Sequence, residues 1–146
     1  MKTAWQSLVF VFIQFFSLGY IALTGPLFPD STPLLVIEVA GLFLGVWAVL
    51  TMRIGHFNIT PEPLTWSKHT SIGPYRVIRH PMYLALLLTS LPLVINTFSP
   101  FRLGIWIILF LNLILKMDFE EKLLLGKFSG YAAYVQKTNK ILPGIF

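Results

Sequence analysis

Four stretches of this chain are almost free of charge, and the polar segments between them differ sharply in length and chemistry. Trp5 to Thr24 supplies the roughly 20 apolar residues that a helix needs to cross a hydrocarbon core about 30 Å thick. Leu34 to Thr51, Met82 to Phe98 and Phe101 to Met117 follow, the last two short enough to suit helices buried against others or ending in a pocket. This pattern predicts an all-α integral membrane protein with about four transmembrane helices in one domain, 1–146, spanning near 5–24, 34–51, 82–98 and 101–117. The first run differs from a secretory leader, because Lys2 is its only early charge, its apolar length exceeds a typical leader core, and no A-x-A site follows. From Asp118 the pattern mixes charge with apolar residues (DFEEKLLLGKFSGYAAYVQKTNK). That segment, 118–146, is predicted as helix outside the membrane, broken at Gly126 and Gly130, with Asp118 paired to Lys122 at i, i+4.

Composition sharpens this picture. Charged residues make up 12% of the chain and hydrophobic ones 55%, against about 25% charged in soluble domains. The net charge of +5 comes from basic residues scattered over loops, without the stripe or patch that nucleic acid requires, so nucleic acid is excluded as a partner. The absence of cysteine removes disulfides, thiol nucleophiles and thiolate metal sites. Lys2, the segment 53–80 and the C-terminal segment fall on one side of a four-span topology, with only Arg102 and the loop around Asp30 on the other. The excess of Lys and Arg places both termini in the cytoplasm.

Inside the spans, Gly41 and Gly45 form a G-x-x-x-G pair that permits close helix approach, either within the bundle or in a homodimer. Glu38 lies about one turn inside the second span, as a functional carboxylate or as one reaching the headgroups. Gln14 is expected to hydrogen-bond between helices.

Chemistry concentrates in Gly73 to Tyr83, GPYRVIRHPMY, and in Glu120 and Glu121. Pro81 suits the first position of a helix, where a missing N–H costs nothing. The N-terminus it opens attracts a carboxylate or phosphate. Arg79 and His80 add cationic donors, Tyr75 and Tyr83 offer faces for a cation or a flat ring, and Glu120 can take hydroxyls or an ammonium. The topology brings these groups to one cytoplasmic face, where S-adenosylmethionine is a ligand that needs all three. No glycine-rich dinucleotide fingerprint is present, so a nucleoside must be held in another way.

The combination GPYRVIRHPMY, an apolar hairpin, EEKLL and then Tyr131 to Tyr134 resembles the isoprenylcysteine carboxyl methyltransferase family and the related phospholipid N-methyltransferases. Their shared pattern is R-H-P-x-Y-x-G followed by E-E, and the likeness covers about Gly55 to Pro143. The resemblance implies a membrane methyltransferase using S-adenosyl-L-methionine, with the cofactor pocket formed by the C-terminal half. It implies cofactor contacts from Lys68, His69, Thr70, Tyr75, His80, Pro81, Met82, Tyr83 and Glu120, beside the Arg79 already noted, and a substrate-contacting basic residue at Lys116. Two positions depart from the pattern: Ala85 replaces its glycine, and Lys116 replaces an arginine that would grip a carboxylate with two parallel bonds.

Methyl transfer from a sulfonium is an in-line displacement that depends on alignment. A carboxylate acceptor needs no base, whereas an amine must lose a proton, for which Glu121 or His80 is the candidate. The leading expectation is O-methylation of an isoprenylcysteine-like carboxylate on a lipid or lipidated small molecule drawn from membrane lipids. The alternatives are a phospholipid amine, a small thiol, or a non-enzymatic membrane protein of the same architecture.

Overall fold

The computed structural model describes residues 2–52 and 71–144, with side chains from Trp5 onward. Helix α1 runs Lys2–Leu23 and α2 Thr32–Met52; a 3₁₀ turn, Gly73–Arg76, precedes α3, Pro81–Asn96, which is followed by α4, Pro100–Lys127, and α5, Tyr131–Lys137. Helices α1, α2 and α4 are long and apolar enough to cross a membrane, and α3 is a shorter apolar helix packed between α2 and α4.

The interior combines an apolar cluster of Ile21, Leu87, Leu93, Val94, Leu109 and Leu113 with buried polar side chains, while large apolar residues also cover the outside, as expected where the surrounding medium is as apolar as leucine and packing with hydrogen bonds drives association. On α1, Ser7, Gln14, Ser17 and Ile21 are buried, while Phe12, Phe15 and Phe16 face outward. The buried stripe faces α4. Asn112 Nδ2 donates to the Phe10 carbonyl at 3.0 Å, and Lys116 Nζ donates to Gln14 Oε1 at 2.8 Å, so Gln14 is the interhelical partner the sequence predicts. Far from that end, the buried Arg102 donates to the Ile21 carbonyl at 3.1 Å, to the Leu93 carbonyl at 2.8 Å and to the Thr24 hydroxyl. These carbonyls belong to the last turns of α1 and α3, where the helix dipoles favour a cation. Ser99 starts α4 by accepting from the Arg102 N–H at 3.1 Å, the expected role of serine before a helix.

Gly41 and Gly45 face α3. A Cβ on Gly41 would lie 2.8 Å from Leu88 Cβ, and one on Gly45 would lie 3.3 Å from Ala85 Cβ. The close approach that this pair permits is therefore used inside the chain. Glu38 shares this buried side of α2 and is 5% exposed; the reading that it reaches the headgroups is corrected accordingly.

Three further expectations change. The third helix starts one residue earlier and ends at Asn96, because Pro81 is itself the first helical residue and Thr97 caps the end. The fourth does not stop at Met117 but runs through Asp118 to Lys127, and Gly126 does not break it. Glu, Lys and Leu are strong helix formers, so the charged segment simply continues the span past the bilayer. Asp118 is paired with Lys140 rather than Lys122.

Because α3 has 16 residues and α4 has 28, and the two run antiparallel from a shared turn, α4 overshoots the start of α3 by roughly 18 Å at 1.5 Å per residue. The recess above the N-terminus of α3 is walled by α4 and covered by α5 and the tail. The candidate site lies there.

Candidate functional site

Gly73 starts the wall of the recess. Its φ of +58° is one that glycine adopts freely, and a Cβ there would fall 2.7 Å from the Thr51 hydroxyl oxygen at the end of α2, so the turn requires glycine. Pro74 and Tyr75 then turn inward and are buried. Residues 77–80 pair with the tail through a bridge between Ile78 and Asn139: Asn139 N–H donates to Val77 O at 3.1 Å, Arg79 N–H to Asn139 O at 2.8 Å, and His80 N–H to Lys140 O at 3.1 Å. Backbone donors outside any helix are thereby satisfied, as burial demands.

The side chains converge on the acidic pair. Arg79 Nε donates to Glu121 Oε1 at 2.7 Å, and its Nη1 donates to the carbonyls of Val135, at 3.1 Å, and Thr138. One guanidinium thus neutralises Glu121 and caps the last turn of α5. His80 Nε2 lies 3.0 Å from Glu121 Oε1, and its Nδ1 is 3.8 Å from Glu120 Oε2. Tyr83 donates its hydroxyl to Glu120 Oε2 at 2.9 Å and stacks on His80 with ring centres 5.4 Å apart. Lys116, one turn before Glu120, stands over the Tyr83 ring at 5.2 Å, a geometry worth about 0.5–2 kcal/mol. Lys140 adds a second cation, bonded to Asp118 and 3.9 Å from Glu121 Oε2.

The juxtaposition expected of the segment 75–83 and the two glutamates is therefore present. Tyr75, Arg79, His80, Pro81, Tyr83, Lys116, Glu120 and Glu121 gather at this one end of the bundle, and Met82 lies half-buried in the first turn of α3. Lys68, His69 and Thr70 lie outside the described residues.

The geometry divides the acidic pair. Glu121 accepts from Arg79 and His80, and a carboxylate so paired is a poor proton acceptor. Glu120 accepts from Tyr83 alone among the described hydrogen bonds, and its side chain is 25% exposed. Tyr75 carries a hydroxyl that is buried without a hydrogen-bond partner among the described residues. Its carbonyl, in contrast, accepts from the Tyr134 hydroxyl at 2.5 Å. Burial raises the Tyr134 hydroxyl to about 12, and burial followed by the charge of Glu120 raises that of Tyr75 still further, so both remain protonated donors.

Sequence reasoning missed the tail. Thr138, Asn139 and Lys140 follow α5 without a motif, and their partners lie some sixty residues earlier for Arg79 and His80. Only the excess of polar residues after an otherwise apolar chain hinted that they bind something.

A family profile described as phospholipid methyltransferase matches residues 34–130, about two-thirds of the chain, which takes in α2 from its third residue and all of α3 and α4. Neither the curated proteins nor the solved structures gave a match. The matched segment contains the RHP-x-Y turn and both glutamates, and the chain belongs to the phospholipid methyltransferase family.

Proposed function

We propose that this protein transfers a methyl group from S-adenosyl-L-methionine to the headgroup amine of a membrane phospholipid, with the site facing the cytoplasm. The buried hydroxyl of Tyr75, unpartnered among the described residues, carries the reading. A buried donor left without an acceptor costs about 1–3 kcal/mol, and it suits a pocket completed by a polar ligand. The other residues fit the same cofactor. No side chain caps the N-terminus of α3; Pro81 has no N–H and the Tyr83 and Leu84 N–H groups donate to the His80 carbonyl, which leaves the Met82 N–H at the positive end of the helix for a carboxylate, and Glu120 has acceptor capacity for ribose hydroxyls or an ammonium. When bound, the cofactor supplies an electrophilic methyl group.

The chain's own groups then provide orientation and proton transfer. Neutral His80 donating from Nε2 to Glu121 has its Nδ1 lone pair on the side of Glu120. In that arrangement Nδ1 takes the proton an amine loses, and Glu121 stabilises the resulting imidazolium, so Glu121 acts as the orienting carboxylate and His80 as the base. The Glu120 carboxylate suits a cationic headgroup. Lys116 is the counter-argument that keeps carboxyl O-methylation of an isoprenylcysteine-like lipid as a second reading. Its ammonium is committed to Gln14 and to the Tyr83 face, however, and is 1% exposed.

Purified protein in vesicles containing phosphatidylethanolamine, given methyl-labelled cofactor, distinguishes the readings. Label stable to base and recovered in the headgroup supports amine methylation. Label released by base as methanol supports the carboxylate reading and overturns the amine.

A further inference from the structure

Beside the tight crossing of α2 and α3 the helices part into a groove with a volume of about 350 Å³, and Gly45, Val46, Val49, Leu50, Ala85 and Leu86 are among its lining residues. It follows α2 from Gly41 to Leu50, a length of roughly 14 Å at the helical rise. Its one hydroxyl is turned away: Thr89 donates to the carbonyls of Ala85 and Leu86 at 2.9 and 3.1 Å, so it offers the groove only its methyl group. Gly45 and Ala85 hollow the floor, and Val46 and Leu50, 58% and 61% exposed, form the outer lip.

We infer that this groove holds one acyl chain of the methyl acceptor and sets which lipids are methylated; this rests on the reading of the neighbouring site as a lipid methyltransferase centre. Two observations commit the groove to that occupant. It lies within the spanning portions of α2 and α3, where the medium is hydrocarbon and a polar ligand is excluded. One end of it also lies within a helical turn of residues that build the site. Ala85 and Leu86 follow Tyr83, which holds Glu120, and Leu50 precedes Thr51, against which Gly73 of the signature turn closes. A lipid whose chain lies along α2 therefore places its headgroup at the recess. Transfer from bilayer to groove gains no hydrophobic energy, because both are apolar, so selection comes from shape and contact. A single straight chain fits a trough of this length and volume.

The test uses full-length protein in phosphatidylcholine vesicles and a phosphatidylethanolamine bearing a diazirine midway along one acyl chain. Illumination is expected to place adducts on Val46, Val49 and Leu86, and Val49→Trp, which fills the groove, is expected to reduce them about tenfold while S-adenosylhomocysteine binding stays unchanged. The same variant lowers methylation of long-chain acceptors about tenfold and spares a short-chain one, the scale of discrimination that apolar pockets achieve. Adducts spread evenly over Phe12, Phe16 and Phe101, or dimers trapped through Val46→Cys in place of lipid adducts, would overturn the inference. Loss of methyl transfer with both acceptors would refute the reading of the site, and the adduct pattern would still decide the groove.

Discussion

The hydroxyl of Tyr75 contributes nothing to the fold that phenylalanine would not. It is buried without a partner among the described residues, so Tyr75→Phe is expected to leave thermal stability unchanged or slightly higher while weakening S-adenosylhomocysteine about fivefold, the value of one hydrogen bond of about 1 kcal/mol. Equal affinity in the two proteins would exclude that hydroxyl from the pocket. Tyr134 behaves in the opposite way, because its hydroxyl binds the Tyr75 carbonyl. The fold favours its neutral form, and burial raises it to about 12. The stability this contributes is complete below the ordinary tyrosine value of about 10 and is lost as pH rises through about 12. Phenolate absorbance of the wild type minus that of Tyr134→Phe is expected to show a midpoint near 12, and a midpoint near 10 would mean that the hydroxyl is not buried.

At the scale of elements, two contacts carry most of the architecture. Arg79 ties α4, α5 and the tail together through Glu121, Val135 and Thr138. Removing it leaves a largely buried carboxylate without its main partner, a loss of roughly 3 kcal/mol, so Arg79→Ala is expected to expose residues 131–141 to hydrogen exchange before α1 and α2 open. Gly41 is the other: Gly41→Leu drives side-chain atoms into Leu88 and Thr89 and is expected to lower the melting temperature. Gly104→Ala, where nothing lies within 4 Å, should instead raise stability by up to about 1 kcal/mol. Both are read by thermal unfolding in detergent. The spans and the turn before α3 were legible in the sequence because run length, glycine and proline act locally. The continuation of α4 through Asp118 was not, since a charged helix leaving a membrane and a separate surface helix share one pattern. The strap at 138–140 was illegible for a further reason: its bonds are backbone pairings to a segment sixty residues away, and no side-chain period records them.

The whole molecule places its chemistry at one end. Arg102 closes the opposite end on α1 and α3, and Asp30 and Asn96 bind each other there at 3.0 Å. The antiparallel bundle sets the start of α1, the recess and α5 at the other. Because the chain lacks cysteine, single substitutions report sidedness cleanly: Lys137→Cys is expected to react with an impermeant maleimide only from the cytoplasmic side and Asp30→Cys only from the other. The reverse labelling would place the recess away from the cytoplasm. The most direct test is calorimetric titration of the detergent-solubilised protein with S-adenosylhomocysteine. One equivalent should bind the wild type, and binding should fall at least tenfold in Glu120→Ala with the helical content intact. No binding to the wild type, or undiminished binding to the variant, would contradict a cofactor pocket built between the start of α3 and the acidic pair of α4.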